Sequence, residues 1–344
     1  MHLGAALTFG FRAPGDYLFP MALHPLIGHH RARRQLSSSL KGGRLPQVIL
    51  LTGAAGIGKQ RLGLWLGQLL LCEAPGEEPC GKCRACRLAL ELTHPDLHWF
   101  VPIPRLKAGD SDKQVDEAAE LLAETMTARR AQPFYEPSDG MSAHPLASAK
   151  LLLRRAALTP VEGKRKFFLL GEADRLVPQE SSPESANALL KLLEEPPSDT
   201  WLLLTCTEPE LVLPTIRSRA VQLRLAPLAA SDSEKLRAQG GAKVRDDSRD
   251  AARSFLESVK QGRAARFERS LKQAPWSARG GFTDLLDALA AELAVRAREN
   301  PEHDSALSMS KALERVQAVR TSAQGNVNPQ LLLAVLAGEL GAIL

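Results

Sequence analysis

Short apolar runs punctuate the N-terminal part of the chain: Q-V-I-L-L at residues 47–51, K-F-F-L-L at 166–170 and W-L-L-L-T-C at 201–206. Runs this brief and this apolar, bounded by polar residues and turn formers, predict buried strands. Residues 97–101 read as a further strand-like piece. From Lys59 the period changes, and Leu62, Trp65, Leu66 and Leu69 fall on one helical face. Residues 102–145 break the rhythm with proline and glycine around one acidic, helix-like piece at 115–130, which reads as a surface excursion. Beyond Arg224 strand signals stop. Phe282, Leu286, Leu289 and Leu293 recur at helical spacing, as do Leu332, Val335, Leu336 and Leu340. Asn328 followed by Pro329 predicts a capped helix start.

Between the first strand and the first helix lies G-A-A-G-I-G-K-Q, residues 53–60. Strand, glycine loop and helix are the context that a phosphate loop requires. Gly53, Gly56 and Gly58 would let backbone N–H groups turn toward phosphate oxygens, and the helix N-terminus adds positive potential. Lys59 would reach the outer phosphates. The motif then calls for Ser or Thr, whose hydroxyl binds Mg²⁺, and the chain has Gln60.

Residues 187–197, N-A-L-L-K-L-L-E-E-P-P, and the pair Ser218-Arg219 resemble the core of clamp-loader AAA+ subunits, proteins that open a ring-shaped sliding clamp and place it on DNA. The resemblance covers residues 24–101 and 150–344. It implies that 166–170 is the Walker B strand. Members that hydrolyse ATP end this strand in Asp-Glu, and this chain has Gly171-Glu172, with Asp174 further on. Both metal partners are therefore altered, and Mg²⁺ is not expected. Thr205 or Thr207 would stand where related ATPases sense the γ-phosphate. Arg219 would be an arginine finger projecting into a neighbour's ATP site, with Arg217 as its close competitor. A vestigial loop beside an intact finger points to a non-motor stator. Its partners would be tau/gamma-type and delta-type subunits, with the sliding clamp and primer-template DNA reached through the complex. The alternative within the family is a working ATPase motor of the tau/gamma type, which Gln60 and Gly171 oppose.

Cys72, Cys80, Cys83 and Cys86 give C-x7-C-x2-C-x2-C. Close-set thiolates of this kind share one tetrahedral Zn²⁺, and four sulfur ligands leave no open catalytic position. The family carries a module of this kind at the same place. An iron–sulfur cluster is the alternative occupant, and a free-standing zinc-dependent nucleic-acid binder is the third functional reading. Cys206, on an apolar strand, reads as core.

The 344 residues allow two or three domains. The expected plan is an α/β AAA+ P-loop domain with a parallel sheet at 24–226, carrying the zinc module at 72–86 and an insertion at 102–149. A small helical lid follows at 227–263 and an all-α collar domain at 264–344. Residues 1–23 read as an extension, either a real arm or a start misplaced from Met21. A net charge of +5 permits a nucleic-acid partner without demanding one. No apolar run approaches a membrane span, and clustered cysteines suit a reducing cytoplasm.

Overall fold

The computed structural model describes residues 23, 25–54, 56–131, 142–176, 184–236, 243–273, 281–299, 303–323 and 327–344. The expected N-terminal extension lies almost wholly outside them. The apolar runs form strands β1 (Val48–Thr52), β2 (Leu97–Phe100), β3 (Lys166–Leu170) and β4 (Thr200–Cys206), joined by β5 (Val221–Arg224). All neighbours pair in parallel, in the order β2-β3-β4-β1-β5. The short, largely exposed β5 at the sheet edge carries no apolar run, so its sequence gave no strand signal.

Alternate residues divide between two faces. Val48, Leu50, Phe100, Phe168, Leu170, Leu202 and Leu204 enter one core, and Ile49, Leu51, Phe167, Leu169 and Leu203 the other. The second face is covered by α1 (His30–Lys41), α2 (Lys59–Leu71) and α3 (Arg84–Leu90). Helix α2 lies tight on the sheet. A Cβ on Gly63 would meet Leu169 Cδ1 at 2.7 Å, and one on Gly67 would meet Phe167 Cδ1 at 2.6 Å.

The first face is covered by α4 (Ser111–Ala131), α5 (Leu146–Ala157), α6 (Glu184–Glu194) and the short α7 (Pro214–Arg217). The inserted helix α4 is therefore not a surface excursion. Val115, Ala118 and Leu122 of α4 are buried in the same core as Phe168 and Leu170. The small Ala118 and the acidic flanks disguised this apolar stripe in the sequence.

The C-terminal part is helical throughout its described residues. Helix α8 (Ala230–Leu236) lies beside the start of α1, with Asp232 Oδ2 4.0 Å from His30 Nε2. The remaining helices are α9 (Lys243–Lys260), α10 (Arg263–Leu271), α11 (Gly281–Glu299), α12 (His303–Ser322) and α13 (Pro329–Ile343). Phe255, Leu256 and Val259 of α9 share one core with Phe282, Leu286, Leu289 and Leu293 of α11 and with residues of α12 and α13. Among the described residues, 227–263 has no core of its own. The Asn328 cap forms as its sequence predicts, Oδ1 accepting from Gln330 N at 2.8 Å and Leu331 N at 3.3 Å. The apolar face of α13 differs by one step: Leu333, Leu336, Ala337 and Leu340 are buried, and Val335 is 50% exposed. No described helix is long and apolar enough to cross a membrane.

His144 is buried in the α/β core and His98 is half-buried at its edge. The His98 ring stacks 4.7 Å from that of Phe168, and His144 Nε2 donates to Gly171 O at 2.7 Å. Burial is the leading cause that pushes both pKa values down to about 4. Below pH 6.5 the unfolded chain protonates these rings while the folded chain does not. Their contribution is thus full above that pH and is lost as pH falls toward 4. On this basis each is worth on the order of 3 kcal/mol. Denaturant midpoints of wild type and His98→Gln/His144→Gln at pH 7 and pH 5 check it, and the variant is expected to lose less on acidification.

Candidate functional site

The C-terminal ends of β1, β3 and β4 converge beside residues 53–58, at the edge where open α/β sheets bind ligands. Gly56 and Gly58 take φ values of 65° and 92°, which side chains with a Cβ seldom adopt. Lys59, at the start of α2, folds back over its own loop. Its Nζ donates to Gly53 O and Ala54 O at 2.8 Å and to Thr207 Oγ1 at 3.1 Å. Burial lowers its pKa, opposed by the nearby negative charge of Asp174. Asp174 Oδ2 accepts from Thr207 N at 3.1 Å and Glu208 N at 3.3 Å, so this carboxylate braces the loop after β4. Burial raises the Asp174 pKa. From the other side His29 Nε2 donates to Ile57 O at 2.6 Å.

The two positions that would hold Mg²⁺ touch one another. A Cβ on Gly171 would meet Gln60 Oε1 at 2.6 Å, Cδ at 2.7 Å and Nε2 at 2.9 Å. Gln60 Oε1 accepts from Trp99 Nε1 at 2.9 Å, and Arg129 Cζ lies 4.1 Å from the centroid of Trp99. Neither a hydroxyl nor a carboxylate stands at these positions, so they do not fit a hydrated Mg²⁺. Glu172 adopts φ 56° and pairs with Arg175, Oε2 to Nε 3.0 Å. Its backbone N donates to Thr205 Oγ1 at 3.1 Å. Of the two candidate threonines, Thr207 therefore faces Lys59, while Thr205 braces the turn after β3.

Arg219 follows α7 on the surface with its side chain 30% exposed. Nη1 donates to Thr215 O at 3.0 Å and Nη2 to Glu194 Oε2 at 3.1 Å. Glu194 belongs to the L-L-E-E-P-P stretch, so the two motifs that carried the resemblance meet here. Arg217 is half-buried like Arg219, and the Nε of each is buried without a hydrogen-bond partner among the described residues. The Arg217 charge pulls against the burial that raises Cys206 to about 12. Cys206 itself is fully buried in the core.

The four clustered cysteines come together, their sulfurs within 4.8 Å of one another and Cys80 Sγ 3.9 Å from Cys86 Sγ. A tetrahedral ion with Zn–S of about 2.3 Å needs sulfur separations of about 3.8 Å, so this set could hold one zinc with little movement. Backbone N–H groups of Cys80, Cys83 and Cys86 donate to Sγ of Cys72, Cys80 and Cys83, each at 3.4 Å. These donors stabilise thiolate charge, and the bonds from Cys83 and Lys82 lead the fall of Cys80 to about 6. Within the module, Glu78 Oε2 accepts from Trp65 Nε1 at 2.7 Å and pairs with Arg33 Nη2 at 2.6 Å. The knuckle is thereby anchored to α2 and α1.

Trp99, Asp174, Glu194 and His29 enter these sites without having stood out as functional in the sequence. Each acts through a partner distant along the chain, so local spacing carried no signal for it.

The five parallel strands and the glycine-rich turn between β1 and α2 define an α/β protein built around an open parallel sheet. The family described as DNA polymerase III, delta subunit, matches residues 28–229, and the chain belongs to it. DNA polymerase III subunit delta' of Bacillus subtilis is 29% identical over 198 residues, covering 58% of this chain and 47% of its own length. That of Pseudomonas aeruginosa is 35% identical over 184 residues, covering 53% and 44%. DNA polymerase III subunit gamma/tau of Mycobacterium tuberculosis is 29% identical over 201 residues, covering 58% of this chain and 28% of its own length. The chain thus spans about half the length of the delta' relatives it matches.

Proposed function

We propose that this chain is a delta-prime-type subunit of a DNA polymerase III clamp loader. It is a stator that hydrolyses no ATP itself and supplies Arg219 in trans to an adjacent ATPase subunit during loading of the sliding clamp. The observation that carries the reading is the pairing of a phosphate loop lacking both metal partners with an arginine at the surface. Without a cation, little neutralises charge on a transferring phosphoryl group. Glu172, the remaining Walker B carboxylate, is engaged by Arg175. In cis Arg219 only pairs with Glu194 and donates to Thr215 O at the surface. Family membership supports the setting, and the tau/gamma-type and delta-type subunits, the clamp and primer-template DNA belong to the same proposal. So does one structural Zn²⁺ on Cys72, Cys80, Cys83 and Cys86, in a protein of the cytoplasm.

The isolated chain is expected to turn over Mg-ATP at least about a hundredfold more slowly than a motor subunit. A steady-state ATPase assay checks this, and robust turnover abolished by Lys59→Ala would establish a motor instead. Affinity capture of the tagged chain, with its partners identified by mass spectrometry, tests the assembly.

A further inference from the structure

We propose that Gln60, Gly171 and Trp99 form one interlocked unit that fills the divalent-cation position of the phosphate loop. The two departures from the motif are then not independent losses. Gln60 stands on α2 where a hydroxyl would meet the metal, and Gly171 stands at the end of β3 where a carboxylate would orient it. The Gln60 amide occupies the space of the missing Gly171 side chain, with three of its atoms 2.6–2.9 Å from the position of a Cβ there. Non-bonded contacts this short force a neighbour to move. The amide yields only by giving up the bond that Oε1 accepts from Trp99 Nε1 at 2.9 Å. Trp99 is held in turn by its place on β2, paired with Leu169 of β3, and by the Arg129 guanidinium 4.1 Å from its ring centroid. Arg129 belongs to α4, so the inserted helix backs the unit and acquires a role at the site.

A specific order of dependence follows. A side chain at 171 displaces the Gln60 amide from Trp99, and it costs less once Gln60 is shortened. Replacing Gln60 alone frees space but supplies only one of the two cation partners. A cation-dependent phosphate loop therefore returns only when both positions change together. The unit rests on reading residues 53–59 as a phosphate loop and is independent of the stator role.

The test pairs a stability comparison with a binding measurement, both on the full chain. Gly171→Ala should lower the melting temperature by about 2–4 °C in the wild-type background. The same change in a Gln60→Ser or Trp99→Phe background should cost less than about half of that. An equal cost in all three backgrounds would overturn the interlock. For binding, a fluorescent ATP analogue is titrated with Mg²⁺ and with EDTA. Mg²⁺ should add nothing to wild type or to Gln60→Ser, whereas Gln60→Ser/Gly171→Asp should bind at least about tenfold more tightly with Mg²⁺ than without. Tenfold Mg²⁺ dependence in the wild type would overturn the proposal. So would a folded double variant that binds the analogue with no such dependence. If no variant binds it, the phosphate-loop reading fails, and the melting comparison still decides the interlock.

Discussion

Replacing Arg219 with alanine in the assembled complex is expected to cut turnover at one ATP site by about a thousandfold or more, the scale on which arginine fingers act. The complex as a whole should lose less, because its other sites keep their own fingers. The chain should stay folded. Arg219 is a surface residue whose contacts are one carbonyl and one partly exposed carboxylate, and pairs of that kind contribute about 0–1 kcal/mol. For the same reason Glu194→Gln should change activity less than about tenfold. It loosens the finger's resting position and leaves its charge intact. The measurement is clamp- and DNA-stimulated ATPase of the reconstituted complex, with Arg217→Ala as comparison. Arg217 is half-buried like Arg219, so the two turnover defects, compared directly, decide which of them is the finger. Unchanged activity for Arg219→Ala, or a larger turnover defect for Arg217→Ala, would assign the finger to the wrong residue.

Stripping zinc should produce the second large effect. One ion per chain is expected by elemental analysis of protein purified without chelators, and its absence would remove the metal from the proposal. Four buried or half-buried thiols without an ion would leave Cys72 and Cys86, both pushed up by burial, protonated and unable to order the knuckle. The damage should then travel along Glu78. This residue bridges Trp65 and Arg33, and its release frees the N–H of an otherwise buried indole. A buried donor left unpaired costs about 1–3 kcal/mol. Chelation should therefore alter the Trp65 fluorescence and lower the melting temperature by several degrees, while the parallel sheet still unfolds cooperatively. Cys80→Ser should reproduce the shift. Glu78→Gln should reproduce the fluorescence change with the zinc content intact.

The sheet was legible because strands buried on both faces leave continuous apolar runs, and β1, β3 and β4 are such runs. The cysteine module was legible because its ligands lie close together in sequence. What escaped were features decided by distant partners. Helix α4 buries only a narrow stripe, and its small and acidic residues look like those of an exposed helix until Phe168 is set against them. The α9 helix reads as lid by position and as part of the C-terminal core by packing, because Phe255 finds Phe282 and Leu286 as neighbours. The mismatch at Gln60 was visible as a single departure. Its contact with Gly171 was not, since nothing in either neighbourhood reports the other.

The strand order also sets a problem for the ribosome. Strand β1 sits in the sheet between β4 and β5. It ends at Thr52, whereas β4 begins only at Thr200 and β5 at Val221. At translation speeds of about 5–20 residues per second, the nascent β1 waits roughly 8–30 s for its first sheet neighbour. During that time α1, α2 and the cysteine knuckle are already available. They can shield Ile49 and Leu51 on one face, while Val48 and Leu50 stay open on the other. That open face stays unpaired until β4 and the helices of the first face are made.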